Sequence, residues 1–211
     1  MSINPLIQSV LPYRPSDAWI LANSGLAWLE LDIDIPYQEI SQEASQVFDQ
    51  RVEHRDSDSV LGYGNQGWHS LCLHGESATA TSSDQGSMTW TDIGNVCPHT
   101  RKFIERYWIM DQAGRIRYMW LMPNGYILPH VDRAGQQLFE CNIAINHPNN
   151  CRVQFLDHGT IPFEAGKGFI IDTSRRHFAV NQSQDWRLHL IVHAPLKPGV
   201  VRQSYEKSFY S

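Results

Sequence analysis

The sequence predicts a mainly β (α+β) fold: an antiparallel sandwich or jelly roll with helical N-terminal elements packed on it. Three observations predict this. From about residue 107 onward, apolar residues recur with the period of strands, in short runs. Clusters of Gly, Pro, Asn and Asp separate those runs at close spacing, the pattern of a many-stranded antiparallel architecture. The chain has 211 residues, 42% hydrophobic and 18% charged, and carries no internal repeat or low-complexity linker, which fits one domain.

In chain order, residues 37–52 place Tyr37, Ile40, Ala44, Val47 and Phe48 at helical spacing behind Pro36. Residues 77–86 (SATATSSDQG) read as a loop too short to separate two domains. A second short helix is expected over 95–106, with Pro98 in its first turn, where the missing N–H is no loss. Strands follow at 115–122, 126–133, 138–146, 152–156, 168–172, 178–181 and 186–194. Their turns are Gln112-Ala113-Gly114, Pro123-Asn124-Gly125, Pro148-Asn149-Asn150, Asp157-His158-Gly159 and Gln182-Ser183-Gln184-Asp185. The expected organisation is 1–106 for N-terminal helices and flanking strands, 107–195 for the β core, and 196–211 for a C-terminal tail.

Composition excludes several classes. No apolar run approaches the roughly 20 residues of a membrane span. The N-terminus lacks the basic-then-apolar order of a signal peptide. Cys72, Cys97, Cys141 and Cys151 show no CxxC spacing, so reduced thiols in a cytoplasm are expected rather than a zinc ribbon or a disulfide framework. Residues 1–100 hold 13 acidic and 3 basic side chains, and residues 101–211 hold 9 and 14. The positive charges of the second half are dispersed, which argues against a nucleic-acid partner.

Ten histidines and 22 acidic residues yield about one His-x-Asp/Glu triplet by chance. The chain has three. His54-Arg55-Asp56 sits in a charged run that reads as a solvated loop, and His74-Gly75-Glu76 reads as a strand-end turn. His130-Val131-Asp132 differs, because it follows Tyr-Ile-Leu-Pro in an expected strand, where side chains two apart share a face. With His177, which opens an expected hairpin, these residues would complete a 2-His-1-carboxylate triad, the donor set of non-heme Fe(II) oxygenases. Ten residues after His177, Arg187 offers a planar fork suited to a carboxylate. In an enzyme using 2-oxoglutarate, the keto-acid end would chelate the metal and Arg187 would hold the distal carboxylate.

The ordered set His130, Asp132, His177, Arg187 resembles the Fe(II)/2-oxoglutarate dioxygenases of the aspartyl/asparaginyl β-hydroxylase-like family, which includes bacterial hydroxylases of free amino acids such as proline. The similarity covers roughly 115–194 and is best in GYILPHVD (125–132) and FEAGKGFIIDTSRRHFAVN (163–181). Within the second stretch the family-like residues are Glu164, Gly166, Lys167, Asp172, His177 and Asn181, and 67–71 (GWHSL) matches more loosely. The resemblance implies a double-stranded β-helix and iron on the triad. It also implies hydroxylation of a free or peptide-bound amino acid, with O2 consumed and succinate and CO2 released. It carries departures too. Where many relatives have an arginine and a histidine on the strand after the first ligand, this chain has Glu140 and Asn142, and Met119 stands where a serine is sometimes found. Asn142 would replace the histidine as an amide donor to 2-oxoglutarate, whereas Glu140 would repel a carboxylate.

Trp68, His69, Arg117 and Trp120 are candidates for the substrate mouth, each equally suited to core packing or a surface role. His189 and His193 share strand parity with Arg187, and a hydrogen-bonded core histidine is expected there. Asp172 is expected as a structural acceptor near the His177 turn, and Arg175 and Arg176 as rim charges. Two other readings remain open: a cupin-type metal enzyme without 2-oxoglutarate, which leaves Arg187 unexplained, and a non-catalytic β-sandwich binding module.

Overall fold

The structure is a computed structural model and describes residues 16–54, 64–81, 87–132 and 139–210. Its strands are β1 (Trp28–Glu30), β2 (Val52–Glu53), β3 (Asn65–Gly75), β4 (Thr89–Trp90), β5 (Ile116–His130), β6 (Phe139–Asn146), β7 (Cys151–Phe155), β8 (Gly159–Thr160), β9 (Gly168–Asp172), β10 (His177–Asn181) and β11 (Arg187–Val192). The helices are α1 (Asp17–Asn23), α2 (Tyr37–Gln46), α3 (Asp92–Asn95), α4 (Pro98–Tyr107) and α5 (Val200–Tyr210). The ladder runs β1-β9-β6-β11-β5-β10-β7-β8, with β3 also on β5, and every strand pair is antiparallel.

The expected turn at Pro123-Asn124-Gly125 is instead a bend inside one long strand. The first half of β5 pairs with β11, from Leu121↔Arg187 to Ile116↔Val192. Its second half pairs with β10, at Tyr126↔Val180 and His130↔His177. One strand therefore belongs to both sheets, and the bend folds them over each other. Asn124 takes φ 59 there. Gly125 is required because a Cβ would sit 2.8 Å from the Gln66 carbonyl oxygen. Opposite it, Gly67 has φ +68 and a Cβ there would lie 1.9 Å from Met122 Cγ, at the bulge where the β3 register shifts.

The expected hairpin between His177 and Arg187 does not form. β10 and β11 pair with opposite halves of β5, so the 182–186 segment crosses from one sheet to the other. Asn181, fully buried, pins this corner: its Nδ2 donates to the carbonyls of Leu121, Met122 and Asp185 at 2.8–3.0 Å, and its Oδ1 accepts from Ser183 Oγ and N.

Strand alternation separates two cores. Ile116, Tyr118 and Trp120 of β5, Cys141, Ile143 and Ile145 of β6, and Leu188, Leu190 and Val192 of β11 face the helices with Ile40, Ala44, Phe103 and Ile104. Each such aliphatic side chain contributes about 1.5–3 kcal/mol on full burial. Leu121, Ile127, Ala144, Val153, Phe155, Phe163, Phe169, Ile171 and Ala179 fill the space between the sheets.

The N-terminal half is shorter in its helices than the periodicity suggests. The 37–52 helix stops at Gln46 and passes through a single 3-10 turn (Phe48–Gln50) into β2. The 95–106 helix is α4, with Pro98 at its first position as expected, preceded by the short α3. The Glu43 carboxylate of α2 caps α4, accepting from the backbone of His99 and Thr100 and from Thr100 Oγ1 at 2.7–2.9 Å. The stretch expected as a tail carries α5, whose Val201 joins the helix-side core. Asp56 and part of the 77–86 loop lie outside the described residues, as do Arg133 and Leu138 at the ends of two expected strands.

Candidate metal centre and cosubstrate pocket

His130 ends β5 and His177 begins β10, directly opposite in register, so sheet pairing brings their rings to 4.3 Å between centroids. Asp132 lies just past the strand rather than within it, held by its backbone N–H on the Thr173 carbonyl at 2.9 Å. Its two carboxylate oxygens stand 3.8 Å from His130 Nε2 and 3.8 Å from His177 Nε2. One nitrogen or oxygen from each of the three residues falls within 4.8 Å of the others, and no second group of this kind occurs among the described residues.

Both imidazoles are oriented by their own backbone. His130 Nδ1 lies 2.8 Å from the Leu128 carbonyl, and His177 Nδ1 2.8 Å from the Arg175 carbonyl. A carbonyl only accepts, so each Nδ1 carries a hydrogen and each Nε2 is the ring nitrogen that faces Asp132 and is placed to ligate. Two imidazole nitrogens and one carboxylate on one side of an ion, with the other positions open, is a donor set that fits Fe(II). Phe155 packs against the His177 ring at 5.7 Å and forms part of the apolar wall.

Arg187 begins β11 with its side chain on the inner face, opposite Leu121. It is 4% exposed and its Nε has no hydrogen-bond partner. Among the described residues no carboxylate pairs with it. Burial holds its pKa below the ordinary guanidinium value. A buried cation without a counter-ion is costly unless an anion joins it, so this position fits a carboxylate ligand.

Beside it, Asn142 meets His189 at 2.7 Å, and His189 meets His147 at 2.9 Å. His189 is the buried, hydrogen-bonded core histidine that parity suggests; no sequence signal marked His147, which follows β6. Glu140, on the same inner face as Asn142, does not stand alone: His193 Nε2 lies 3.2 Å from its Oε1, and Arg117 Nη2 is 3.3 Å from His193. Burial would raise the Glu140 pKa, but His193 and then Arg117 outweigh it and hold it down to about 2. The repulsion expected of Glu140 is thus countered locally.

The mouth candidates divide by face. Trp68 packs toward the inter-sheet core, and Arg117 shares that inner face. His69 and Trp120 pair across β3 and β5 on the other, helix-facing side, where Trp120 packs edge-on to Phe48 and His69 to Trp186. The solvated loop expected at His54 is corrected. The residue is 1% exposed, with Ser70 Oγ 2.8 Å from Nδ1 and Arg117 Nη1 3.3 Å from Nε2, because β2 adds to the edge of β3 and carries it inward. His74 ends β3 as expected, on the Gly114 carbonyl at 2.9 Å. Asp172 is the expected structural acceptor, taking Ser174 and Arg175.

This architecture recurs in solved structures. One is a prolyl hydroxylase from Trichoplax adhaerens in complex with a hypoxia inducible factor oxygen degradation domain peptide fragment. It has 8% identity and a TM-score of 0.52, covering 92% of this chain and 94% of that one. Another is the non-heme alpha ketoglutarate dependent epimerase SnoN from nogalamycin biosynthesis, at 11% identity, TM-score 0.50, and 90% and 82% coverage. At such identities the likeness establishes the fold, a double-stranded β-helix. No curated protein matches the chain in sequence. Family and fold together define an enzyme of the 2-oxoglutarate-Fe(II) oxygenase class, which uses Fe(II), 2-oxoglutarate and O2. Residues 35–195 match the model of the Aspartyl/Asparaginyl beta-hydroxylase family, and the chain belongs to that family. No described helix is long and apolar enough to cross a membrane.

Proposed function

We propose that the protein hydroxylates an amino acid, free or as a peptide or protein side chain, while 2-oxoglutarate is converted to succinate and CO2. His130, Asp132 and His177 would hold Fe(II), and Arg187 the distal carboxylate of 2-oxoglutarate. The observation that carries this reading is Arg187: an unpaired guanidinium buried on the inner face of the barrel that also bears the His/Asp cluster.

When bound, the iron supplies dioxygen activation at its open positions. The chain supplies position and a dry site. The carbonyls of Leu128 and Arg175 fix the two imidazoles, so no ring turn is needed when the ion arrives. Asp132 offsets part of the ion's charge. Leu121, Val153, Phe155 and Ala179 exclude water from the space beside it. Trp68, Arg117, Glu140 and His193 are proposed to line the approach for the substrate, whose own charged groups would meet a guanidinium and a carboxylate. Cys97, Cys141 and Cys151 are free thiols, in keeping with a cytoplasmic setting.

The test is anaerobic titration of the metal-free protein with Fe(II) and then 2-oxoglutarate, following the visible metal-to-ligand charge-transfer band. The band is expected in the wild type and lost in Asp132→Ala. A folded wild type that gives no band overturns the reading.

A further inference from the structure

Around Arg187 the barrel interior carries a row of three polar side chains whose hydrogens can be assigned by counting. His147 Nε2 lies 3.0 Å from the Cys151 carbonyl oxygen. His147 Nδ1 lies 2.9 Å from His189 Nε2, and His189 Nδ1 lies 2.7 Å from the Asn142 amide atom assigned as Oδ1, an assignment that shape alone does not distinguish from Nδ2. Phe163 covers both rings, at 5.5 Å and 4.6 Å between centroids.

The charged and titratable groups facing this row are the Arg187 guanidinium from β11 and the Cys151 thiol at the start of β7. Among the described residues no carboxylate pairs with either ring. Burial first, and the positive charge of Arg187 second, lower both rings, His147 to about 4 and His189 well below the ordinary imidazole value. Both are therefore neutral at physiological pH, with one hydrogen each.

Those two hydrogens settle the row. The Cys151 carbonyl accepts only, so the His147 hydrogen is on Nε2 and its Nδ1 is bare. His189 then donates to it from Nε2, which leaves His189 Nδ1 bare as well. A bare nitrogen 2.7 Å from an amide needs the amide's NH2, not its oxygen. The two ends of a carboxamide have nearly the same size, so the network decides which one faces the ring. With the oxygen toward His189, the row would need a third ring hydrogen and hence an imidazolium beside Arg187.

We infer that His147 and His189 are positioning residues: they hold the Asn142 amide with its NH2 on His189 and its oxygen turned away from the ring. One Asn142 N–H is then spent on His189, which leaves the Arg187 guanidinium as the principal donor the pocket offers 2-oxoglutarate, contrary to the expectation that Asn142 fills that role. This rests on the reading of the pocket as the 2-oxoglutarate site, but the hydrogen assignment does not.

The assignment is tested on the full-length, metal-free protein by nitrogen-15 NMR of the histidine rings at neutral pH. Both rings are expected neutral, with the hydrogen on Nε2. A His189 that carries it on Nδ1, or an imidazolium at either residue, overturns the inference. Asn142→Asp presents only acceptors, so His189 is expected to gain a hydrogen on Nδ1; an unchanged His189 spectrum in the folded variant overturns it too. The consequence is tested through the anaerobic charge-transfer titration. Asn142→Ala is expected to weaken 2-oxoglutarate binding less than about threefold, and Arg187→Ala more than about tenfold. Equal losses refute the inference. A wild type that binds no 2-oxoglutarate overturns the functional reading and leaves the ring assignment to stand or fall by NMR.

Discussion

Replacing Arg187 by methionine is expected to move affinity and stability in opposite directions. In the metal-free protein the guanidinium is 4% exposed and its Nε has no partner. Its charge is desolvated without compensation, so an apolar side chain of similar length removes a penalty. We expect Arg187→Met to stabilise the metal-free protein by about 1–2 kcal/mol, which for a chain of this size raises Tm by about 2–4 °C per kcal/mol. With 2-oxoglutarate bound, the same residue would make two charge-assisted hydrogen bonds in a buried fork. Truncating one partner of such a pair costs about 2–5 kcal/mol, and about 3 kcal/mol corresponds to roughly a hundredfold in Kd. Arg187→Lys keeps the charge but loses the fork and should fall between. Differential scanning calorimetry of the metal-free protein gives the first quantity and the anaerobic charge-transfer titration the second. A variant destabilised by more than about 1 kcal/mol with unchanged 2-oxoglutarate affinity would refute the reasoning, because Arg187 would then be a structural residue with an unrecognised partner.

The neutral histidine pair makes stability depend on pH. The folded pKa of His147, about 4, lies below the ordinary 6.5, because burial and then Arg187 disfavour the charged ring. Between those values the unfolded chain binds a proton that the folded chain does not, so its contribution is complete above about pH 6.5 and declines as pH falls toward 4. Allowing for partial solvent screening, about 2 kcal/mol is expected to be lost over that window, and His147→Gln should flatten that part of a urea-denaturation pH series. Asn181→Ala removes the donor shared by three carbonyls and the acceptor of Ser183; a loss of about 3 kcal/mol is expected in urea denaturation, with weaker 2-oxoglutarate binding because the corner leading to Arg187 is released. Gly67→Ala forces φ +68 on a residue with a Cβ 1.9 Å from Met122 Cγ, and thermal melts should show a loss of about 2 kcal/mol or more.

The sequence by itself determined the β period after residue 107, the Pro98 helix start, and the order of His130, Asp132, His177 and Arg187. These are local properties: side-chain alternation, a ring that fixes φ, and residue types at set spacing are all present in the chain before it folds. The tertiary structure decided the rest. The Pro123-Asn124-Gly125 segment reads as a turn in sequence and becomes a bend because β10 and β11 compete for the same edge of β5 and take one half each. For His69 and Trp120 the sequence leaves the mouth and the core equally open, and strand register assigns them to the helix side, since one residue along a strand reverses the face. His54 sits in a charged run, yet its place is set by pairing with β3, which local polarity does not encode. The partners of Glu140 and Asn142 lie 47 or more positions away along the chain, on other strands. Whether a polar side chain is a donor, an acceptor or a neutral base depends on who faces it across the barrel, and only closure of the two sheets decides that.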